Sequence, residues 1–200
     1  VIGLGCECAQ ISLYNQSQLE KNIDYLNIQD EGGTKEIINK VSDKIINELE
    51  TINNIKRTPI PISELNVALQ CGGSDSYSGI TANPALGIAS DMLINHGGSS
   101  ILSETTEIYG AEHLLYERSI NKKNIEKIKK QIQWWKEHLT KNHSTLDNNP
   151  SPGNKRGGLT TILEKSLGAV AKSGNSPMVD VLDYGEPVKT KGFNFMNGPG

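Results

Sequence analysis

Between Asn66 and Ser103 the chain places a short apolar run, a glycine turn, a helix-period segment and a second apolar run, and that order leaves few folds open. The two runs, Asn66-Val67-Ala68-Leu69-Gln70-Cys71 and Ser99-Ser100-Ile101-Leu102-Ser103, lack the strict alternation of a half-solvated strand. Strands covered on both faces read this way, and a helix between them makes the crossover that parallel pairing needs. Asn83 followed by Pro84 predicts the helix start, because Asn accepts an orphan backbone N–H and Pro is tolerated at the first helical position. The helix should reach about Asn95, where Gly97-Gly98 stops it. The expected class is α/β, a mostly parallel sheet flanked by helices, in which ligands bind beyond the carboxyl ends of the strands.

The rest of the chain repeats the pattern. Val1 to Gly5 and Ile23 to Ile28 read as strands, with a short helical stretch from Gln10 to Lys21 between them. Thr34, as N-cap, should open a helix whose apolar face carries Ile37, Ile38, Val41, Ile45, Leu49 and Ile52. Residues 108 to 118 look helical, and Ile125, Ile128, Ile132, Trp135 and Leu139 mark the seam of a longer helix. Lys122, Lys123, Lys127, Lys129, Lys130 and Lys136 on its other faces suit a solvated surface better than a binding one. Residues 143–158 turn to Asn, Pro, Ser and Gly, the composition of a long ordered loop. Leu159, Ile162, Leu163, Leu167 and Val170 form another helical stripe, and Met178 to Leu182 and Phe193 to Met196 close the chain as strands.

Composition narrows the function classes. A net charge of −3 and a pI near 5.8 argue against nucleic-acid binding across the surface, and no apolar run is long enough to span a bilayer. Three cysteines, Cys6, Cys8 and Cys71, are not the paired framework of a small secreted protein, so the cytoplasm is the expected compartment. The chain opens at Val1 inside a strand-like run and stops after another, so it reads as truncated at both ends.

Chemistry gathers where the strands end. Gly5-Cys6-Glu7-Cys8, Cys71-Gly72-Gly73-Ser74-Asp75 and Ser103-Glu104-Thr105-Thr106-Glu107 would bring thiols, carboxylates and hydroxyls to one sheet edge. Such a set can hold a divalent metal, carboxylates favouring hard ions and thiolates favouring iron or zinc. Taken singly, each residue has a plainer explanation. Cys6 and Cys71 suit small buried sites, Glu104 and Glu107 suit helix starts, and Ser74 and Asp75 suit turns. Gly3-Leu4-Gly5 is no dinucleotide fingerprint, since the third glycine falls at Cys8, and Cys6-x-Cys8 lacks the doubled spacing of a structural zinc site. His96, His113, His138 and His143 are scattered and suit surface or core positions. The segment from Asp147 to Leu159 joins stiffening prolines, permissive glycines, amides, hydroxyls and the pair Lys155-Arg156, which suits an anionic polyol and equally a connecting loop.

The stretches Cys71-Gly72-Gly73-Ser74-Asp75-Ser76-Tyr77-Ser78-Gly79-Ile80-Thr81-Ala82-Asn83-Pro84-Ala85-Leu86-Gly87 and Asp147 to Lys155, with Gly5-Cys6-Glu7, resemble the altronate/galactarate dehydratase family. Ile101 to Thr105, Tyr109 to His113 and Trp134-Trp135 resemble the altronate branch more than the galactarate branch. Cys8 departs from the family pattern, so no three-cysteine site is inferred.

The resemblance implies a variant Rossmann-like fold and makes residues 1–200 a partial catalytic domain. It implies Fe2+ or Mn2+ as cofactor, with an iron–sulfur cluster left open, and a homodimer at full length. It also implies dehydration of D-altronate to 2-dehydro-3-deoxygluconate. Galactarate dehydration or sulfite elimination from sulfolactate is the alternative within the family, and a non-catalytic ligand-binding or dimerisation module the alternative outside it. Together with the residue chemistry, this assigns Cys6, Glu7, Cys71 and Glu104 to the metal. Ser74, Asp75, Asn149, Ser151 and Asn154 fall around the hydroxyls of a small anionic polyhydroxy acid, Glu107 or Asp75 becomes base or acid, and Lys155 aids the charge on the carboxylate. The piece alone is expected to be inactive.

Overall fold

A computed structural model describes residues 2–3 and 24–199 of the chain. The predicted helix from Gln10 to Lys21, most of the first strand, and Cys6, Glu7 and Cys8 lie outside the described residues. The chain divides into two units, residues 1–59 and 60–200.

In the first unit, β1 (Ile2–Gly3) pairs in parallel with β2 (Leu26–Asn27), and α1 spans Thr34–Asn54. Gly33, not Thr34, precedes the first turn, and no side chain caps it. Gly33 has φ 114, a conformation open to glycine, and its carbonyl accepts the Ile37 N–H at 3.1 Å. Of the apolar face read from the sequence, Ile37 is buried while Ile38, Ile45, Leu49 and Ile52 are exposed.

The second unit is built on a four-stranded, wholly parallel sheet. Its strands are β3 (Asn66–Leu69), β4 (Ser99–Leu102), β5 (Met178–Leu182) and β6 (Gly192–Met196), in the spatial order β3-β4-β6-β5. The expected α/β class, a parallel sheet flanked by helices, is the observed one. All four residues of β4 are buried, as its unbroken run predicted. Leu69, Leu102, Ile108, Leu115, Ile128, Met178, Phe193 and Phe195 form the core.

The helices are α2 (Ala82–Asn95), α3 (His113–Tyr116), α4 (Lys122–Lys141), α5 (Pro152–Arg156) and α6 (Ile162–Ala171). Helix α2 starts one residue before Asn83, whose side-chain amide is spent elsewhere, donating to the Gly168 carbonyl of α6 at 2.9 Å. Asn121 caps α4 by accepting the Asn124 N–H at 2.9 Å. Along the α4 seam, Asn124 and Gln131 donate to the Val179 and Leu182 carbonyls at 3.2 and 3.0 Å, which covers polar backbone of the edge strand β5. The lysines Lys122, Lys123, Lys129, Lys130 and Lys136 are exposed. Residues 143–158 hold a 3-10 turn at Leu146–Asn148 and the short helix α5.

Helix α6 turns a different face inward from the one its apolar stripe suggested. Leu163 and Leu167 are each 46% exposed, whereas Lys165 and Ser166 are buried, as are Lys172 and Ser173 just beyond the helix. Buried lysines are rare unless paired, so their partners matter.

Candidate active site

Sheet register sets the site. Leu69 of β3 pairs with Leu102 of β4, which pairs with Phe195 of β6. Cys71, Glu104 and Asn197 each lie two residues beyond those partners, so parallel strands deliver them to the same carboxyl edge. A 3-10 turn over Thr105–Ile108 follows Glu104 at once and carries Glu107 back toward the same edge.

Two carboxyl groups, two amines and a thiol close there. The Glu104 carboxylate accepts the Cys71 backbone N–H and takes the Lys172 ammonium on both oxygens, at 2.9 and 2.7 Å. Both side chains are sealed from solvent. Glu107 Oε1 accepts from Lys165 at 2.8 Å, from Asn149 Nδ2 at 3.2 Å and from Cys71 Sγ at 3.4 Å. Its second oxygen, Oε2, is buried and has no hydrogen-bond partner. The Lys165 ammonium also donates to Asn149 Oδ1 at 2.7 Å and Asn154 Oδ1 at 3.1 Å, which fills its three N–H bonds.

The two carboxyls are driven apart. Burial lifts Glu104 above its ordinary value, against the pull of Lys172. Burial acts on Glu107 in the same sense, but the bond and charge of Lys165, with Asn149 and Cys71, outweigh it and hold Glu107 below its ordinary value. Burial first, then the charges of Glu107 and Glu104, pushes the Cys71 thiol up to about 11.

The donors fit a divalent cation. Cys71 Sγ and one carboxylate oxygen from each of Glu104 and Glu107 lie within 4.8 Å of one another. A soft thiolate beside hard carboxylates matches a borderline ion such as Fe2+ better than Ca2+ or Mg2+. Glu107 Oε2, a buried oxygen left unpaired at a cost of about 1–3 kcal/mol, has lone pairs open to a metal ion or to a proton.

Beside the cluster lies a cleft of about 240 Å³, lined by Ser74, Asp75, Ser78, Asn83, Lys165 and Leu167 among others. Ser74 is half-buried, and its carbonyl accepts Asn154 Nδ2 at 2.9 Å. The Asp75 carboxylate is occupied by the turn it begins, accepting the Tyr77 and Ser78 N–H groups at 2.9 and 2.8 Å. Ser151 is the N-cap of α5 and forms a capping box with Asn154. Gly157 and Gly158 let this segment lie on the Asp75–Ser76 turn, because a Cβ at Gly157 would come 2.9 Å from that of Asp75. The structure thus brings together Cys71, Glu104, Glu107, Ser74, Asn149 and Asn154.

Lys155 is exposed on α5, and the cations at the cluster are Lys165 and Lys172. Sequence reasoning missed both. Their one signal is a spacing of seven, which places them two turns apart on one helical face. No helix among the described residues is long and apolar enough to cross a membrane.

Comparison with known proteins places the chain's sequence in a family. The family model described as "D-galactarate/Altronate dehydratase, C-terminal" matches residues 62–200. Over its whole length the chain is 42% identical to altronate dehydratase of Bacillus subtilis (strain 168). It is likewise 40% identical to altronate dehydratase and 37% identical to galactarate dehydratase (L-threo-forming) of Escherichia coli (strain K12). The chain spans 40% of the length of each of these relatives.

Proposed function

The chain belongs to the D-galactarate/altronate dehydratase family, and from that premise we propose that the full-length protein is a metal-dependent hydro-lyase acting on a sugar acid, D-altronate first among the candidates. The observation that carries the reading is the closed set of Cys71, Glu104 and Glu107 at the sheet's carboxyl edge, with one buried carboxylate oxygen left open. Galactarate, and sulfolactate with sulfite as the leaving group, are the alternative substrates. The protein works in the cytoplasm, as a homodimer.

Elimination across a 2,3-dihydroxy acid removes the proton beside the carboxylate and the hydroxyl on the next carbon, leaving an enol that becomes a 2-keto acid. The C–H proton is weakly acidic, so charge building on the substrate carboxylate must be neutralised as it leaves. Cys71 and Glu104 would hold Fe2+ or Mn2+. An ion held there would supply Lewis-acid neutralisation of that charge. Glu107 accepts the proton at Oε2 as general base and returns it to the departing hydroxyl, which leaves as water. Ser74 bonds substrate hydroxyls from the cleft and Asn149 from beside Glu107, to which its Nδ2 donates, while Ser151 and Asn154 shape the segment that carries Asn149. Asp75 keeps its turn in place at the mouth of the cleft.

The test is a side-by-side assay of anaerobically purified, Fe2+- or Mn2+-loaded full-length protein on D-altronate, galactarate and sulfolactate. The largest kcat/KM is expected with D-altronate. Turnover of sulfolactate alone would overturn the assignment of water as leaving group.

A further inference from the structure

The two carboxylates of the cluster are held in opposite ways. Both oxygens of Glu104 are used, by Lys172 and the Cys71 N–H. All three partners of Glu107 converge on Oε1, and Oε2 stays open. A carboxylate with one loaded and one open oxygen has a defined orientation and a single available lone-pair face. The group that imposes this is Lys165, which is 7% exposed and reaches across from α6 to three acceptors at once. Asn149 completes the arrangement as a bridge, its Oδ1 accepting from Lys165 and its Nδ2 donating to Glu107 Oε1.

We propose that Lys165 is a positioning residue of the site: by locking Oε1 of Glu107 and the side chains of Asn149 and Asn154 into one network, it fixes the direction in which Oε2 of Glu107 faces. This rests on the reading of Glu107 as a residue of the active site. Lys165 itself lines the cleft, so the network and the space for substrate share a wall. Its N–H bonds are all committed, so it acts through Glu107 and the segment from Asn149 to Asn154. Lys172 has no such reach, since its ammonium donates to the two oxygens of Glu104.

The experiment compares full-length, metal-loaded wild-type enzyme with Lys165→Arg, Lys165→Met and Glu107→Gln, reading metal content, Tm, kcat and KM. Arginine keeps the charge, but its planar fork cannot meet three acceptors arranged around one ammonium. Lys165→Arg should keep its metal and its KM within about threefold while kcat falls roughly a hundredfold, the scale of a displaced reacting group. Lys165→Met should fall further, and Lys165→Arg should recover part of that loss. Wild-type kcat in Lys165→Arg, with Glu107→Gln inactive, would overturn the positioning role alone. Wild-type kcat in Glu107→Gln would overturn the reading of the site and the positioning role with it. Should Lys165→Met fail to fold, Lys165→Arg decides the matter, because it leaves no buried carboxylate without a cation.

Discussion

The Lys172 ammonium grips both oxygens of Glu104, at 2.9 and 2.7 Å, with neither side chain more than 3% exposed. An ion pair this deep adds little net stability, since desolvating two charges offsets most of their attraction. Breaking it is another matter. Lys172→Met should destabilise the full-length protein by about 3–5 kcal/mol, because Glu104 is left buried and uncompensated. Urea denaturation measures this, and the double variant Lys172→Met with Glu104→Leu should recover most of the loss. Equal instability of the single and double variants would show that the pair's charge is not the cause.

Close packing of α2 on the end of α6 depends on Gly87. A Cβ there would overlap the Ala171 carbonyl oxygen and stand 3.0 Å from the Gly174 nitrogen, both of them backbone atoms that cannot swing away. Gly87→Ala should therefore cost roughly 1–3 kcal/mol or more, as overpacking does. Thermal unfolding of the variant reads this directly, and an unchanged Tm would mean that the two helices separate easily.

Ser151 illustrates how far the sequence could be read. Serine and asparagine beside glycine and proline serve both sugar binding and helix capping, and the sequence offers nothing to separate the two uses. The structure spends the Ser151 hydroxyl on the Asn154 N–H at 3.2 Å. Ser151→Ala should lower stability by about 0.5–2 kcal/mol, the worth of an N-cap, and leave KM for the sugar acid within twofold. A tenfold rise in KM at unchanged stability would make Ser151 a substrate contact instead.

Cys71 and Glu104 were legible because strand exits are recognisable: an unbroken apolar run followed by chemically active residues marks the carboxyl edge of a buried parallel strand. Lys165 and Lys172 were not, because they sit in and just beyond a helix whose leucines advertise the opposite face. Leu163 and Leu167 look like core residues and are half exposed, while the buried side carries charge that only a partner 58 or 68 residues earlier in the chain makes tolerable. Long-range pairing of this kind leaves no local period. The cap positions failed for a smaller reason. Gly33 replaces Thr34 through its backbone conformation, and Asn83 is drawn to Gly168 of a distant helix.

Glu186 gives a pH dependence of known sign. The Asp183 N–H, Lys189 and Lys127 hold its carboxyl down to about 2, against an ordinary value of 4.5. A folded-state pKa below the unfolded one means that the stabilisation is complete above about pH 4.5 and is lost as pH falls toward 2. Glu186→Gln should therefore show a shallower loss of stability than wild type between those values. Parallel pH–stability curves would mean that the Asp183–Lys189 turn does not hold Glu186 in solution.

The metal is the centre of the functional reading, and its position can be seen directly. Crystals of the full-length protein grown with Mn2+ and measured at the manganese absorption edge should show an anomalous peak about 2.0–2.6 Å from Cys71 Sγ and from a carboxylate oxygen of Glu104. An active enzyme whose only anomalous peak lies elsewhere, with Lys172 still on both oxygens of Glu104, would contradict the assignment.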